Sequence, residues 1–180
     1  HQYNDFNLRT ATSDGLGQVG TVEYDLHGNK TSETDANGHA TNYQYDAFHR
    51  VIATTRAGIQ LQKTEYDEAG RIQFETDARG NKVGYEYDKR GLLVKTNRSL
   101  GAIDLLQRDS MGDVTLATDP EGRTTATGYD KRRRAISVAD GLGNTTQSTF
   151  ELAGNLTEAK APNGATVSYA YDSANRLATI

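Results

Sequence analysis

The stretch YDEAGRIQFETDARGNKVGYE, residues 66–86, decides the fold, and Tyr87 begins the same phrase again. The step is 21 residues, and it holds along the chain at Tyr3, Tyr24, Tyr45, Tyr66, Tyr87, Arg108, Tyr129, Phe150 and Tyr171. The following position reads Asn4, Asp25, Asp46, Asp67, Asp88, Asp109, Asp130, Glu151 and Asp172. A second register falls fourteen residues after the lead residue, at Gly17, Gly38, Gly80, Gly101, Gly122, Gly143 and Gly164. Only the repeat from Tyr45 breaks it, with Gly58 one place early. A fixed period of this length marks a repeat architecture.

Each repeat holds two copies of one turn. Asp67-Glu68-Ala69-Gly70 is followed ten residues on by Asp77-Ala78-Arg79-Gly80. Aspartate at the first place of a β-turn accepts from backbone amides, and glycine at the last place takes the positive φ that closes a hairpin with a bulge. Gly28 and Gly91 fill the same first-turn slot as Gly70, whereas Asn7 and His49 replace it. Asp14-Gly15-Leu16-Gly17 and Asp140-Gly141-Leu142-Gly143 fit the second turn, and Pro120 and Pro162 share one slot in it. Arg56-Ala57-Gly58 departs from it, which predicts a bulge or an altered loop.

Between turns lie six or seven residues with a period of two, the signature of a strand. Simple alternation places Ile72 with Phe74 on one face, Arg71, Gln73 and Glu75 on the other, and Val83, Tyr85 and Tyr87 together. The expected fold is all-β, an array of antiparallel hairpins of 21 residues forming a coiled, curved sheet ribbon. Residues 1–180 read as one array, with repeats starting at 3, 24, 45, 66, 87, 108, 129 and 150 and a partial one from 171. The chain starts two residues before a repeat boundary and stops inside a strand, which reads as a piece of something longer.

Composition narrows the function classes. Twenty basic and 24 acidic residues give a net charge of −4, with no electrostatic reason to expect nucleic acid as a partner. No run approaches the roughly 20 apolar residues that span a bilayer, so membrane insertion by this segment is not expected. The chain has no cysteine, which excludes disulfides and cysteine-based metal sites. Apolar residues make up 35% and mean hydropathy is −0.73, low for a closed core but matched by one apolar stripe per strand.

No catalytic constellation survives the repeat, and neither an enzyme nor a cofactor is expected. The recurrent aspartates sit one per turn and lack the denser pattern of calcium-binding β-helices. His27, His39 and His49 fall at or near turns and read as solvated. Lys131-Arg132-Arg133-Arg134 reads as a solvated hairpin tip rather than a nucleic-acid patch. The tyrosines read first as packed apolar surface. An exposed aromatic trough that includes Tyr43 and Tyr85 would instead suit a carbohydrate or a cell-surface protein ligand.

The lead Tyr-Asp, the glycine three places after the aspartate and the following Asp-x-x-Gly resemble the YD repeats of the Rhs family. Tyr66-Asp67-Glu68-Ala69-Gly70-Arg71-Ile72 and Tyr171-Asp172-Ser173-Ala174-Asn175-Arg176-Leu177 resemble its frequent Tyr-Asp-x-x-Gly/Asn-Arg-Leu phrase. The resemblance covers the whole chain. Such families include bacterial polymorphic toxins delivered between cells, insecticidal toxin-complex subunits and animal teneurins. The resemblance implies a ribbon that spirals into a hollow shell, secreted or at the cell surface and of bacterial origin. It implies as partners an enclosed C-terminal toxin domain and the remaining shell of the same polypeptide. An extracellular adhesion module binding carbohydrate or protein is the alternative.

Overall fold

The turns set the architecture. In the computed structural model, which describes residues 1–14 and 17–180, the Asp77 turn has three loop residues. The Gly80 amide donates to the Asp77 carbonyl at 3.0 Å, and the Asp77 amide donates to the Asn81 carbonyl at 3.0 Å. Gly80 sits at φ 81°, the left-handed conformation that lets this short loop close in step with strand twist. A Cβ on Gly80 would touch nothing within 4 Å, so the demand there is conformational alone. Gly80→Ala is therefore expected to lower stability by about 1–2 kcal/mol, read as a shift of the urea midpoint without a change of slope. The Gly15 and Leu16 places of the Asp14–Gly17 turn lie outside the described residues.

The chain divides into two compact halves, His1–Tyr85 and Glu86–Ile180, with the boundary inside a strand. The first half carries β1 (Gln2–Tyr3), β2 (Arg9–Asp14), β3 (Gly17–Tyr24), β4 (Lys30–Asp35), β5 (Ala40–Tyr45), β6 (Val51–Arg56), β7 (Ile59–Tyr66), β8 (Ile72–Asp77) and most of β9 (Lys82–Tyr87). Each pairs antiparallel with the next. The second half carries β10 (Leu93–Asn97), β11 (Ile103–Arg108), β12 (Val114–Thr118), β13 (Thr124–Tyr129), β14 (Ala135–Asp140), β15 (Thr145–Phe150), β16 (Leu156–Lys160) and β17 (Thr166–Ser168), paired in the same way. A last hairpin joins β18 (Ala170–Tyr171) to β19 (Leu177–Thr179). Among the described residues the one helical piece is a single 3₁₀ turn, Ser99–Gly101. The all-β hairpin array expected from the period is the observed fold.

The faces differ from simple alternation. Tyr66 lies opposite Ile72, yet Glu65 lies opposite Phe74, so Gln73 is an extra residue on β8. This one-residue bulge puts Ile72 on the tyrosine face and Phe74 on the other, because directly opposed residues share a face. Val83 pairs with Glu75 and Gly84 with Phe74. Ile72 and Phe74 therefore do not share a face as alternation expects. Lys82 sits over the Phe74 ring at 3.8 Å on the far face, while the Tyr85 hydroxyl donates to Glu75 at 2.7 Å on the tyrosine face. The same bulge recurs beside Tyr3, Tyr24, Tyr45, Arg108, Tyr129, Phe150 and Tyr171.

The irregular Tyr45 repeat keeps phase by a compensating change. Ala57 and Gly58 form a two-residue turn with φ of 51° and 78°. The shorter turn saves a residue, and a bulge between β6 and β7 at Leu61 restores it. Packing is thin throughout. Apart from glycine, only Ala11 at 8% and Thr64 at 7% exposure are buried among the described residues. Order in each half therefore rests on the ladder and on contacts between neighbouring repeats.

Candidate functional site

The residues singled out by the period occupy two structural roles. Tyr24, Tyr45, Tyr66, Tyr87, Tyr129 and Tyr171 each end a strand and are half-buried. Asp25, Asp46, Asp67, Asp88, Asp130 and Asp172 open the turns that follow. Gly28, Gly38, Gly70, Gly80, Gly91, Gly122, Gly143 and Gly164 close turns at φ between 80° and 87°.

The aspartates act as caps. Asp25 Oδ1 accepts from the amides of His27 and Asn29 at 2.8 and 2.9 Å, and Asp130 Oδ1 accepts from Arg132 and Arg134 at 2.8 and 3.1 Å. The other carboxylate oxygen meets the side chain four places on. Arg50, Arg71 and Arg134 place guanidinium nitrogens 2.6–2.7 Å from Asp46, Asp67 and Asp130. Asn29 and Asn81 play that part for Asp25 and Asp77, each at 2.8 Å. The Arg71 side chain, then its backbone amide, hold the Asp67 carboxyl below its usual pKa.

The lead residues join one repeat to the last. The Tyr24 hydroxyl donates to the Arg9 carbonyl at 3.2 Å, Tyr45 to Lys30 at 2.8 Å, Tyr66 to Val51 at 3.1 Å and Tyr129 to Val114 at 3.0 Å. Every acceptor lies fifteen residues back, beside the bulge of the preceding repeat. A bulge disrupts the ladder locally, and the next tyrosine supplies a donor there. Arg108, which breaks the tyrosine series, keeps the bond by donating Nε to the Leu93 carbonyl at 3.0 Å. Phe150 has no donor, but the Arg134 guanidinium lies over its ring at 4.7 Å and donates to the Glu151 carbonyl at 3.0 Å. Arg50 likewise stacks on Tyr66 at 4.0 Å.

The basic tip is the exposed hairpin turn that its sequence suggests, and two of its arginines also reach neighbouring repeats. Arg133 clasps Asp113 of the preceding repeat through Nη2 at 2.6 Å and Nε at 2.9 Å. Arg132 donates to the Leu152 carbonyl of the following repeat. A repeat that lacks its own arginine after the turn, with Asp113 in that slot, borrows one from its neighbour. The Arg133 side chain holds the Asp113 carboxyl below its usual pKa. In Arg133→Ala the Asp113 carboxyl is expected to titrate at higher pH by NMR, while Asp67 titrates as before. An unmoved Asp113 would show that the clasp is absent in solution.

The other candidates also serve local geometry. The His27 and His49 rings lie 4.8 Å apart, and the Asn29 side-chain amide donates to His49 Nδ1 at 2.8 Å. His39 Nδ1 lies 3.2 Å from Asp35. Tyr43 and Tyr85 point their hydroxyls to Glu33 and Glu75, at 3.5 and 2.7 Å. Among the described residues no three histidine, aspartate or glutamate side chains are grouped to hold a metal ion. Among the same residues, no helix is long and apolar enough to cross a membrane.

The Teneurin YD-shell family matches residues 1–180, the whole of this arrangement. The chain belongs to that family. Its Tyr-Asp phrases are YD repeats, and the seam just described is how one YD repeat holds the next. No curated protein matches the chain. Among solved structures, a TcdB2–TccC3 protein crystallised without its hypervariable C-terminal region is 13% identical, with a TM-score of 0.76 over 96% of this chain and 10% of that one. A mutant Tc holotoxin pore of Photorhabdus luminescens is 17% identical, with a TM-score of 0.69 over 93% of this chain and 11% of that one. The TcdB2–TccC3 crystal structure gives 16% identity and 0.69 over 92% and 11%. At these identities the likeness is one of fold. The YD-shell segment spans about a tenth of the length of the structures it matches.

Proposed function

We propose that this segment is a length of wall in a secreted or cell-surface shell, and that the shell encloses a C-terminal effector region of the same polypeptide. The segment has no catalytic role in this reading. The observation that carries it is the seam. Hydrogen bonds at a constant offset of fifteen residues tie hairpins side by side, and such a seam suits a barrier rather than a cleft. Membership of the YD-shell family supports the same reading, as does the likeness in fold to a protein whose C-terminal region is described as hypervariable.

The test uses the full-length parent protein under native proteolysis. The C-terminal region is expected to resist cleavage while the repeats are intact and to become cleavable once acid opens them. Cleavage at equal rates before and after opening overturns enclosure. Saturable binding on a glycan array that is lost in Tyr43→Ala or Tyr85→Ala would overturn a purely structural role.

A further inference from the structure

Two asparagines precede a glycine, Asn37 before Gly38 and Asn163 before Gly164. Both pairs fill the third and fourth places of a second turn, and all four residues are exposed. The two glycines are alike. Their φ angles are 81° and 87°, their amides donate to the first-place carbonyl at 3.0 and 2.9 Å, and a Cβ on either would touch nothing within 4 Å. The first places differ. In one turn Asp35 Oδ1 accepts from the amides of Asn37 and His39, both at 2.9 Å, and Arg56 lies 2.7 Å from Oδ2. In the other turn Ala161 offers the Asn163 amide no side-chain acceptor. Asn163 supplies a cap itself, its Oδ1 accepting from the Ala165 amide at 3.0 Å.

We propose that Asn163 is a site of spontaneous deamidation, set apart from Asn37 by the missing aspartate cap. The Gly164 amide nitrogen loses its proton to hydroxide and attacks Cγ of Asn163. The new N–C bond closes a five-membered succinimide, the Cγ–Nδ2 bond breaks, and ammonia leaves with a proton from water. Water then adds to one of the two ring carbonyls and opens the ring to aspartate or isoaspartate. Water is the sole co-reactant, and nothing is oxidised or reduced. Glycine in the following place leaves the attack open because it carries no side chain over its nitrogen.

Two effects favour Asn163 over Asn37. Each turn must open before the nitrogen can reach Cγ, because its N–H is tied to the first-place carbonyl. Local opening is easier where fewer bonds hold the turn. The attacking nitrogen is also an anion as it forms. The His39 backbone amide, above all, holds the Asp35 carboxyl below its usual pKa. A full negative charge therefore stands in the Asn37 turn at neutral pH and opposes that anion. Pro162 stiffens the second place of the other turn, yet it leaves the Asn163–Gly164 link rotatable. In the isoaspartate product the backbone runs through the former side chain. The extra methylene lengthens the turn and loosens the ladder from β16 to β17 that this turn aligns.

The test ages the 180-residue protein in mildly alkaline buffer and follows both asparagine-containing peptides by mass spectrometry. In the folded protein Asn163 is expected to convert about fivefold faster than Asn37, the factor that one lost turn hydrogen bond gives. In urea the two rates are expected to converge. Ala161→Asp installs the cap and should slow Asn163 to the rate of Asn37. Asp35→Ala removes the cap and should quicken Asn37 to the rate of Asn163, with circular dichroism checking that the fold is kept. Ala161→Asp adds a cap instead of removing one, so it decides the matter even if Asp35→Ala unfolds its repeat. Equal rates in the folded protein, or a faster Asn37, overturn the proposal. So does a difference that persists in urea, which would assign it to flanking sequence, and so does an Asn163 rate untouched by Ala161→Asp.

Discussion

Acidification from neutral pH to pH 2 is expected to unfold the array, with the loss beginning near pH 5. The turn carboxylates Asp25, Asp35, Asp46, Asp67, Asp77, Asp88, Asp119, Asp130, Asp140 and Asp172 all have pKa values lowered in the folded chain. So do Asp113 at the clasp and Glu33, Glu65 and Glu86 on the sheet. A depressed folded pKa means that the unfolded chain takes up the proton first. The stability these groups contribute is whole above the unfolded value near 4. It is lost as the pH falls through the folded values. Each carboxylate is solvent-facing and modest alone, but the same cap recurs along the chain, so the losses share one pH window. The check is the thermal midpoint, followed by circular dichroism. It should be level from about pH 7 to about pH 5 and fall steeply below pH 4. A midpoint unchanged down to pH 2 would mean that the caps contribute nothing to order.

The second large effect is expected at a lead residue. Tyr66→Phe removes only the hydroxyl that reaches the Val51 carbonyl, which costs about 1 kcal/mol. Tyr66→Ala also removes the ring beneath Arg50 and half-buried apolar area, for a total of about 2 kcal/mol. The damage should be local as well as measurable. Repeats touch only their neighbours, and among the described residues no buried core spreads the strain. Amide exchange is therefore expected to quicken in β6 and β7 and to stay unchanged in β2 and β3. Uniform quickening across the first half would show that the repeats unfold as one block and would remove the nearest-neighbour picture.

Much of this was legible before any coordinates. The 21-residue step, the Asp-x-x-Gly turns and the antiparallel hairpins follow from spacing and turn chemistry, because such turns impose strong local demands. The faces were not legible. Alternation puts Phe74 beside Ile72, but a bulge is created by register against a partner strand, and one strand's sequence does not contain that register. The basic run from Lys131 is the exposed hairpin tip that it reads as, but its partners were not legible for a related reason. As a string it is a charged tip, yet Arg133 finds Asp113 twenty residues away. The period itself held the clue: Asp113 stands where other repeats carry Arg50, Arg71 and Arg134, so a cation was missing there and in surplus one repeat later. The tyrosine bonds left no comparable clue, because their acceptors are backbone carbonyls.

Those acceptors bear on how such a chain drifts over generations. A main-chain oxygen is the same whatever residue owns it, so Arg9, Lys30, Val51 and Val114 are interchangeable as receivers. A substitution on that side requires no matching change on the other, and the donor need only be long and protic, as Arg108 is. Joints of this kind let the sequences of distant cousins diverge almost freely while the masonry stays in line.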